Sequence, residues 1–299
     1  MSTLLLFEPA FVGGVDVPRL LVQWIVRGAL FALIAIGFTL IFGVGGVLNL
    51  AHGATITIGG FTAWYATGLA DNIAVGLVAG MAAGGLFSLV LYRGVIKHVH
   101  DEPVRVMILS LVTAVLIEEV ARDLITTQSL GLRNLVPGSL TIAGSRVELN
   151  LIVVFVLSWV FIGALMLFIT RTRTGKAILA VSMSGKGAAL AGIDADRIQL
   201  YTWLVAGLLA GVAGVFLASF QNASWQMGRQ PLVLSFSIVI LGGLGSIKGS
   251  VVGAYIISFM EVLTVNAIDT RMSGLAGLLV LILVLLVKPE GLYGREFAE

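Results

Sequence analysis

Residues 20–43, LLVQWIVRGALFALIAIGFTLIFG, decide the fold of this chain. They contain one charged residue, Arg27, and a helix of this length is about 36 Å long, enough to cross the hydrocarbon core of a bilayer. Comparable apolar stretches follow at 47–69, 73–92, 104–125, 150–170, 199–220, 232–247, 249–268 and 273–288. The sequence therefore predicts an all-α, polytopic membrane helix bundle of about eight or nine transmembrane helices. The count stays open because the helix pairs around residues 45 and 248 are either full crossings or broken helices.

Composition narrows the possible functions. Hydrophobic residues make up 58% of the chain and charged residues 11%, far from the soluble globular norm, so we expect residues 1–299 to form a single transmembrane domain. The chain has no cysteine, which excludes disulfides and Cys-based metal sites. It lacks a P-loop, a His-Glu-x-x-His motif and a cofactor fingerprint. We therefore predict a non-catalytic protein without cofactor or metal, and no nucleic-acid surface.

Lysine and arginine predict the orientation in the cytoplasmic (inner) membrane. Arg93, Lys97 and Arg105 cluster in one loop, residues 171–198 form a second basic segment, and Lys288 and Arg295 lie in the tail. Alternating crossings place all three on one side, which the positive-inside rule makes cytoplasmic. The C-terminus is then cytoplasmic and the N-terminus extracytoplasmic. Residues 1–18 carry Glu8 and Asp16 without a basic start, so no cleavable signal peptide is predicted.

Residues 171–198, RTRTGKAILAVSMSGKGAALAGIDADRI, form a polar island between two apolar stretches. Apolar residues recur there at helical spacing, which predicts two short amphipathic helices joined by Gly185 and Gly187, with Ala188 and Ala189 on the apolar side of the second. Two interpretations are open: a solvated connector or a docking surface for a partner. A connector needs only a few residues, so the length of the island favours docking.

Two apolar stretches are interrupted by glycines and polar residues, at 43–55 and 241–254. Broken helices in corresponding positions of two halves are typical of a transport pathway, whereas close helix packing explains such glycines equally well. The candidate pathway residues are Asn49, His52, Gly53, Thr55, Gly243, Gly245 and Ser246. We expect His52 to be a hydrogen-bonded structural histidine in preference to a proton relay, and Asn49 to cap a helix starting at Leu50. The glycines at 207, 211 and 214 favour packing.

Charges within the apolar stretches are costly and therefore informative. Glu118 and Arg122 are four residues apart, which predicts a local ion pair near the interface in preference to a substrate site. Glu261 has no basic neighbour in sequence, so we expect it to face the bundle interior or an inter-subunit contact. Arg27 is expected to snorkel outward.

Several motifs occur in a fixed order: GFTLIFGV at 37–44, NLAHG at 49–53, RTGKAI at 173–178, ALAGI at 189–193, a glycine run at 207–214, GGLGSIKG at 242–249 and KPEGLYG at 288–294. Together they resemble the permease subunits of branched-chain amino-acid ABC transporters, the Liv permeases, over nearly the whole chain. The family usually has Arg at the place of Leu179 and polar or acidic residues at 182–186, where this chain differs.

The resemblance implies an importer of branched-chain or hydrophobic amino acids. Its partners would be a second permease subunit, two ATP-binding cassette subunits and an extracytoplasmic substrate-binding protein. The island would then supply short cytoplasmic coupling helices that seat in the ATPases, with contacts at Gly175, Lys176, Ser184, Lys186, Ala188, Ala189, Leu190 and Gly192. Alternatives are a permease for urea or short amides, an ion-coupled secondary transporter and a passive channel.

Overall fold

The computed structural model describes residues 11–12, 15–125, 127–142, 144–267, 269–288 and 290–294. Glu8 and Arg295, used above for the leader and orientation predictions, lie outside these residues. The long helices are α1 (Val17–Gly45), α2 (His52–Ala70), α3 (Ile73–Gly94), α4 (Pro103–Val120), α5 (Leu149–Arg171), α8 (Ala195–Gln221), α9 (Arg229–Gly242), α10 (Ile247–Ala267) and α11 (Leu275–Val287). Two shorter helices, α6 (Arg173–Met183) and α7 (Gly185–Leu190), form the island. A π turn at Ala121–Ile125 extends α4, and 3₁₀ turns occur at Ile96–His98 and Thr270–Met272.

The strands are short and peripheral. β1 (Phe11–Val12) pairs antiparallel with β2 (Val15–Asp16), and β3 (Ser139–Ile142) pairs antiparallel with β4 (Ser145–Glu148). Within the described residues, five helical segments are long and apolar enough to span a membrane: Val17–Gly45, Ile73–His98, Leu149–Arg171, Ala195–Gln221 and Ile247–Asn266. Helices α9 and α11 are apolar but shorter. The predicted all-α polytopic membrane bundle is confirmed.

The bundle has two distinguishable ends. At one end, which we call the island end, Gly43 of α1 lies against Gly245 and close to Ser182 of α6. At the other, the hairpin end, β4 leads directly into α5 and Arg133 pairs with Asp71 at 3.0 Å. These contacts place the island and the turn between α9 and α10 together, and they place the β3–β4 hairpin opposite.

Two helices begin inside the bundle instead of at its ends. His52, the first residue of α2, lies beside Ile34 near the middle of α1, with its Nε2 3.2 Å from the Ile34 carbonyl oxygen. Gly228, which precedes α9, lies against Gly53: an added Cβ on Gly228 would be 1.9 Å from the Gly53 carbonyl oxygen. The first turn of α2 and the residue before α9 therefore meet in the interior. We call this contact the mid-bundle junction.

The two glycine-rich segments singled out in the sequence have different surroundings in the structure. The start of α2 lies against Gly228 through Gly53, whereas Gly43, at the other end of the first segment, contacts Gly245 of the second glycine-rich segment. The latter is a tight reversal at the island end, where Gly242 and Gly249 are in backbone contact. The amides of Leu292 and Tyr293 donate to the carbonyls of Leu241 and Gly242 at 2.8 and 3.0 Å, which fixes the C-terminal segment to this reversal. The break before α9 was missed because residues 222–228 carry only one glycine.

Glycines bring α2, α3 and α8 into backbone contact. A Cβ on Gly211 would lie 2.4 Å from the Gly80 carbonyl oxygen, and one on Gly214 would lie 2.0 Å from the Ile56 carbonyl oxygen. A Cβ on Gly84 would lie 2.5 Å from the Gly207 carbonyl oxygen. Small residues allow such approach, and in lipid the resulting van der Waals contact drives helix association. The packing interpretation of the 207, 211 and 214 glycines is therefore confirmed.

We call these backbone contacts between α2, α3 and α8 the glycine seam. They predict that Gly211→Ala destabilises the bundle. The added methyl group meets the backbone of α3, which cannot rotate away, so we expect a loss of about 1–3 kcal/mol of stability and a lower midpoint in thermal unfolding of the purified protein. Gly163→Ala in α5 is the matched control, because nothing lies within 4 Å of its added Cβ. Equal unfolding midpoints for the two variants would contradict the seam.

Candidate coupling surface and candidate substrate pathway

Three successive side-chain caps define the island. The Thr172 hydroxyl accepts from the Gly175 amide at 2.9 Å and starts α6, and the Ser184 hydroxyl accepts from the Gly187 amide at 3.0 Å and starts α7. The Asp194 carboxylate accepts from the Arg197 amide at 3.2 Å and starts α8. Such caps satisfy amides that have no partner inside the helix. The two short helices are confirmed, but the break between them lies at Ser184, and Gly185 and Gly187 belong to α7.

The island packs one face on the bundle and leaves another open. Gly175 is buried so closely that an added Cβ would be 2.1 Å from the Phe168 carbonyl oxygen, and Ile178 and Val181 join the core. Ala188 is also buried in this core, whereas Ala189 is exposed. The expectation that the two alanines share a docking face is therefore wrong, because adjacent residues on a helix point in directions about 100° apart.

The open face combines large apolar side chains with unpaired positive charge. Leu190 is 92% exposed and Met183 63% exposed. Lys176, Ser184, Lys186 and Gly192 are exposed as well. Gly192 has a φ of +78°, a left-handed conformation that suits glycine and ends α7. We call the exposed residues Lys176, Met183, Lys186, Ala189 and Leu190 the island surface.

After its acidic residues are paired, the island keeps an excess of positive charge. Asp194 pairs with Arg197 at 2.9 Å, and Asp196 pairs with Lys97 at 3.0 Å. Arg171, Arg173, Lys176 and Lys186 form no ion pair with the described residues. The acidic residues are thus neutralised within the chain, and the remaining charge is positive.

The first predicted pathway residues meet at the mid-bundle junction. Asn49, His52 and Thr55 are each at most 2% exposed. Asn49 does not cap a helix at Leu50: its side chain accepts from the Ala51 amide at 3.0 Å, and α2 begins at His52. His52 has its Nε2 against the Ile34 carbonyl and its ring edge against Phe38, as expected of a structural histidine.

The other pathway residues lie elsewhere. Gly243 and Gly245 form the turn between α9 and α10 with φ values of +98° and +80°, and the Ser246 hydroxyl accepts from the Gly249 amide at 3.1 Å. Gly245 contacts Gly43, which is nine residues along α1 from Ile34, a rise of about 13 Å. The two predicted groups are therefore not brought into one site.

A charged cluster joins α4 to α9 at the hairpin end. Glu118 is buried and accepts from Arg229 Nε at 2.7 Å, and the Arg229 guanidinium lies 5.1 Å from the Trp225 ring centre. Arg122 instead pairs with Glu119 and Asp123. The predicted Glu118–Arg122 pair is therefore wrong: tertiary packing offers Glu118 a partner from α9 in place of its helical neighbour.

Glu261 faces the interior, as one of the two sequence-based interpretations held. It is fully buried, and its carboxylate accepts from the Gly274 amide at 2.9 and 3.0 Å, from Gln230 Nε2 at 3.1 Å and from the Ser273 hydroxyl. A buried charge needs such donors, and Gly274 is the N-cap of α11. Glu261 therefore fixes the start of α11 against α10 and α9.

Sequence reasoning missed two polar residues that organise the hairpin end. Asn150 is fully buried: its side chain accepts from the Leu135 amide at 2.9 Å and donates to the Ser219 carbonyl at 3.2 Å. Gln230 bridges Glu261 and Ser273. A polar residue inside an apolar stretch is the signal that could have identified Asn150, but its partners are 15 and 69 residues away.

Comparison with known proteins identifies the family. The family described as "Branched-chain amino acid transport system / permease component" matches residues 20–287. The chain belongs to this permease family. It is 29% identical to the high-affinity branched-chain amino acid transport system permease protein LivH of Escherichia coli (strain K12), over 91% of this chain and 94% of LivH. The corresponding protein BraD of Pseudomonas aeruginosa is also 29% identical, over 93% of this chain and 96% of BraD.

A relative of lower identity is named for a different substrate. The galactofuranose transporter permease protein YtfT of Escherichia coli (strain K12) is 26% identical, over 88% of this chain and 78% of YtfT. No solved structure gives a significant match. The chain is thus a multi-pass membrane permease subunit of an importer, and permeases of this family work with ATPase and other subunits.

Proposed function

We propose that this permease imports branched-chain and other hydrophobic amino acids. The observation that carries the substrate class is similarity to LivH and BraD along almost their full lengths. The proposed complex contains a second permease, two ATP-binding cassette subunits and an extracytoplasmic substrate-binding protein. This chain contributes one transmembrane domain, with no catalytic residue of its own.

The island surface is the proposed docking site for an ATPase subunit. Leu190 of α7 is 92% exposed and Met183 at the end of α6 is 63% exposed, so large apolar side chains accompany the lysines on this surface. The four unpaired basic residues at 171, 173, 176 and 186 favour a partner with acidic charge around an apolar groove. Ala188, Ile178 and Val181 hold the island on the bundle, so a push on Leu190 is transmitted to α1, α5 and α8.

The island end is the proposed cytoplasmic end, because the island, Arg93 and Lys97 place the basic residues there. We expect Met183→Cys and Thr141→Cys, both at exposed positions, to react with a membrane-impermeant thiol reagent from opposite sides of the membrane. The chain has no native cysteine to interfere. Reaction of both variants from the outside would contradict the orientation.

The alternating-access pathway is proposed to run past the mid-bundle junction, where Asn49, His52, Gly53 and Thr55 gather. Helices that begin inside a bundle are typical of transport pathways, since irregular backbone at membrane depth needs protein or water around it. Gly243, Gly245 and Ser246 are proposed to act at the island end, where their turn contacts α1 beside α6. Movement of α6 would therefore reach α1 and α9 together.

Uptake tests the function directly. Vesicles should contain this chain, its companion permease and the binding protein, with or without the ATPases. We expect leucine uptake only when the ATPases and ATP are present, and we expect urea and acetamide to compete poorly. Uptake without the ATPases, or its collapse by a protonophore while ATP is maintained, would favour a secondary transporter; better uptake of urea would favour the amide alternative.

The coupling surface has a separate test. Ala189→Glu and Leu190→Asp should reduce co-purification of the ATPases by at least about tenfold, since an unpaired carboxylate in an apolar groove costs several kcal/mol. The thermal stability of the permease should stay unchanged, because both side chains face outward.

Two controls complete this test. Leu190→Met should retain docking, and Ala188→Glu should lower the stability of the permease itself, because Ala188 is only 4% exposed. Full ATPase recovery and normal transport with Leu190→Asp would contradict the coupling role.

A further inference from the structure

Arg27 borders a cavity that none of the predicted pathway residues shares. The cavity has a volume of about 320 Å³ and lies towards the hairpin end, between α1, the ends of α8 and α10, and the first turn of α9. We call it the Arg27 cavity. Its lining is half apolar and half polar: Arg27, Phe31, Leu217, Gln221, Gln230, Pro231, Val265 and Ser273. Its volume is at the lower limit for ligand pockets, which suits a small molecule.

The Arg27 guanidinium has no partner among the residues that the structure describes. It is partly buried, and it forms no hydrogen bond or ion pair with the part of the chain that the structure describes. A charged side chain within a membrane helix is normally paired or placed in a water-filled cavity. Arg27 lines this cavity, and its guanidinium carries N–H donors that a ligand there could use.

Two carboxylates, those of Glu261 and Glu148, lie in the neighbourhood of the cavity, and neither forms an ion pair with Arg27. Glu261 accepts from Gln230 and Ser273, two residues that line the cavity, and from the Gly274 amide, and it forms no ion pair with Arg27. Glu148 borders a second cavity of about 170 Å³ beside Arg27, also without an ion pair to it. A cation that is unpaired among the described residues, with a fixed anion nearby, favours a zwitterion over a ligand with net charge.

Polar acceptors complete the arrangement. Gln230 uses its amide nitrogen for Glu261 and Ser273, which leaves its carbonyl oxygen available, and Gln221 is exposed at the same cavity. Phe31, Leu217, Pro231 and Val265 supply an apolar wall. The cavity thus offers a guanidinium for a carboxylate, amide oxygens for an ammonium group and an apolar surface for an aliphatic side chain.

We propose that the Arg27 cavity binds an aliphatic amino acid, with its carboxylate at Arg27 and its side chain against Phe31, Leu217 and Val265. The inference rests on the proposed function and adds a binding site within the permease itself. The ligand's carboxylate takes the bidentate contact that the guanidinium otherwise lacks, and it does so near the end where a binding protein would release it.

Equilibrium binding of radiolabelled leucine tests the site, with the complete permease–ATPase complex in nanodiscs and without the binding protein. Arg27→Gln should weaken leucine binding by about ten- to a hundredfold, the loss expected for a charge-assisted contact. Arg27→Lys should retain part of the affinity. Leucinamide, which lacks the carboxylate, should compete poorly, and 4-methylpentanoate should compete better than leucinamide. Arg93→Gln, an exposed arginine at the island end, is the matched control.

The size of the cavity provides a second test of the site. Val265→Phe should reduce the space and weaken leucine binding more than alanine binding. Unchanged leucine affinity in Arg27→Gln, or competition by leucinamide equal to that of leucine, would overturn the site. Leucine uptake by the wild-type complex is measured separately. If uptake occurs but Arg27→Gln binds leucine with unchanged affinity, only this inference is contradicted. If uptake does not occur, the proposed function is contradicted.

Discussion

Backbone contact between α2, α3 and α8 is the constraint on which the rest of the structure depends. Gly59, Gly80, Gly84, Gly207 and Gly211 let carbonyl oxygens lie where a Cβ would otherwise be. In a bilayer the hydrophobic effect does not bring helices together, so this close packing has to supply the cohesion. It also holds α2 in the bundle although α2 begins at mid-depth. The backbone at the start of α2 is surrounded by protein, as irregular backbone inside a membrane bundle requires.

The polar groups inside the bundle follow from the same requirement. Glu261, Glu118 and Asn150 are buried, and each holds an irregular part of the chain: the start of α11, the segment before α9 and the loop before β3. Each forms hydrogen bonds with groups from other segments, so its burial costs little free energy in the folded protein. Removing a partner would leave a buried polar group unsatisfied and cost much more. Arg27 differs from them, because it lines a cavity and forms no hydrogen bond or ion pair with the described residues.

The coupling surface and the Arg27 cavity lie at opposite ends of one set of helices. Helix α1 passes from the cavity, past His52, to the contact with Gly245 and α6. Helix α8 begins at the cap that ends the island and reaches the cavity through Leu217 and Gln221. Two continuous helices therefore connect the island to the Arg27 cavity.

The sequence by itself determined the all-α membrane fold, the boundaries of most helices and the capped island, because apolar periodicity, length and capping residues are local properties. It also predicted that the glycines at 207, 211 and 214 serve packing. Only the tertiary structure decided that Glu118 pairs with Arg229 and that Ala188 is buried while Ala189 is exposed. It also decided the junction between α2 and α9 and the Arg27 cavity. Each of these depends on residues more than about a hundred positions apart or on which face of a helix meets its neighbours. Local pattern carries neither kind of information, since the energy that selects the arrangement comes from contacts formed when the helices assemble.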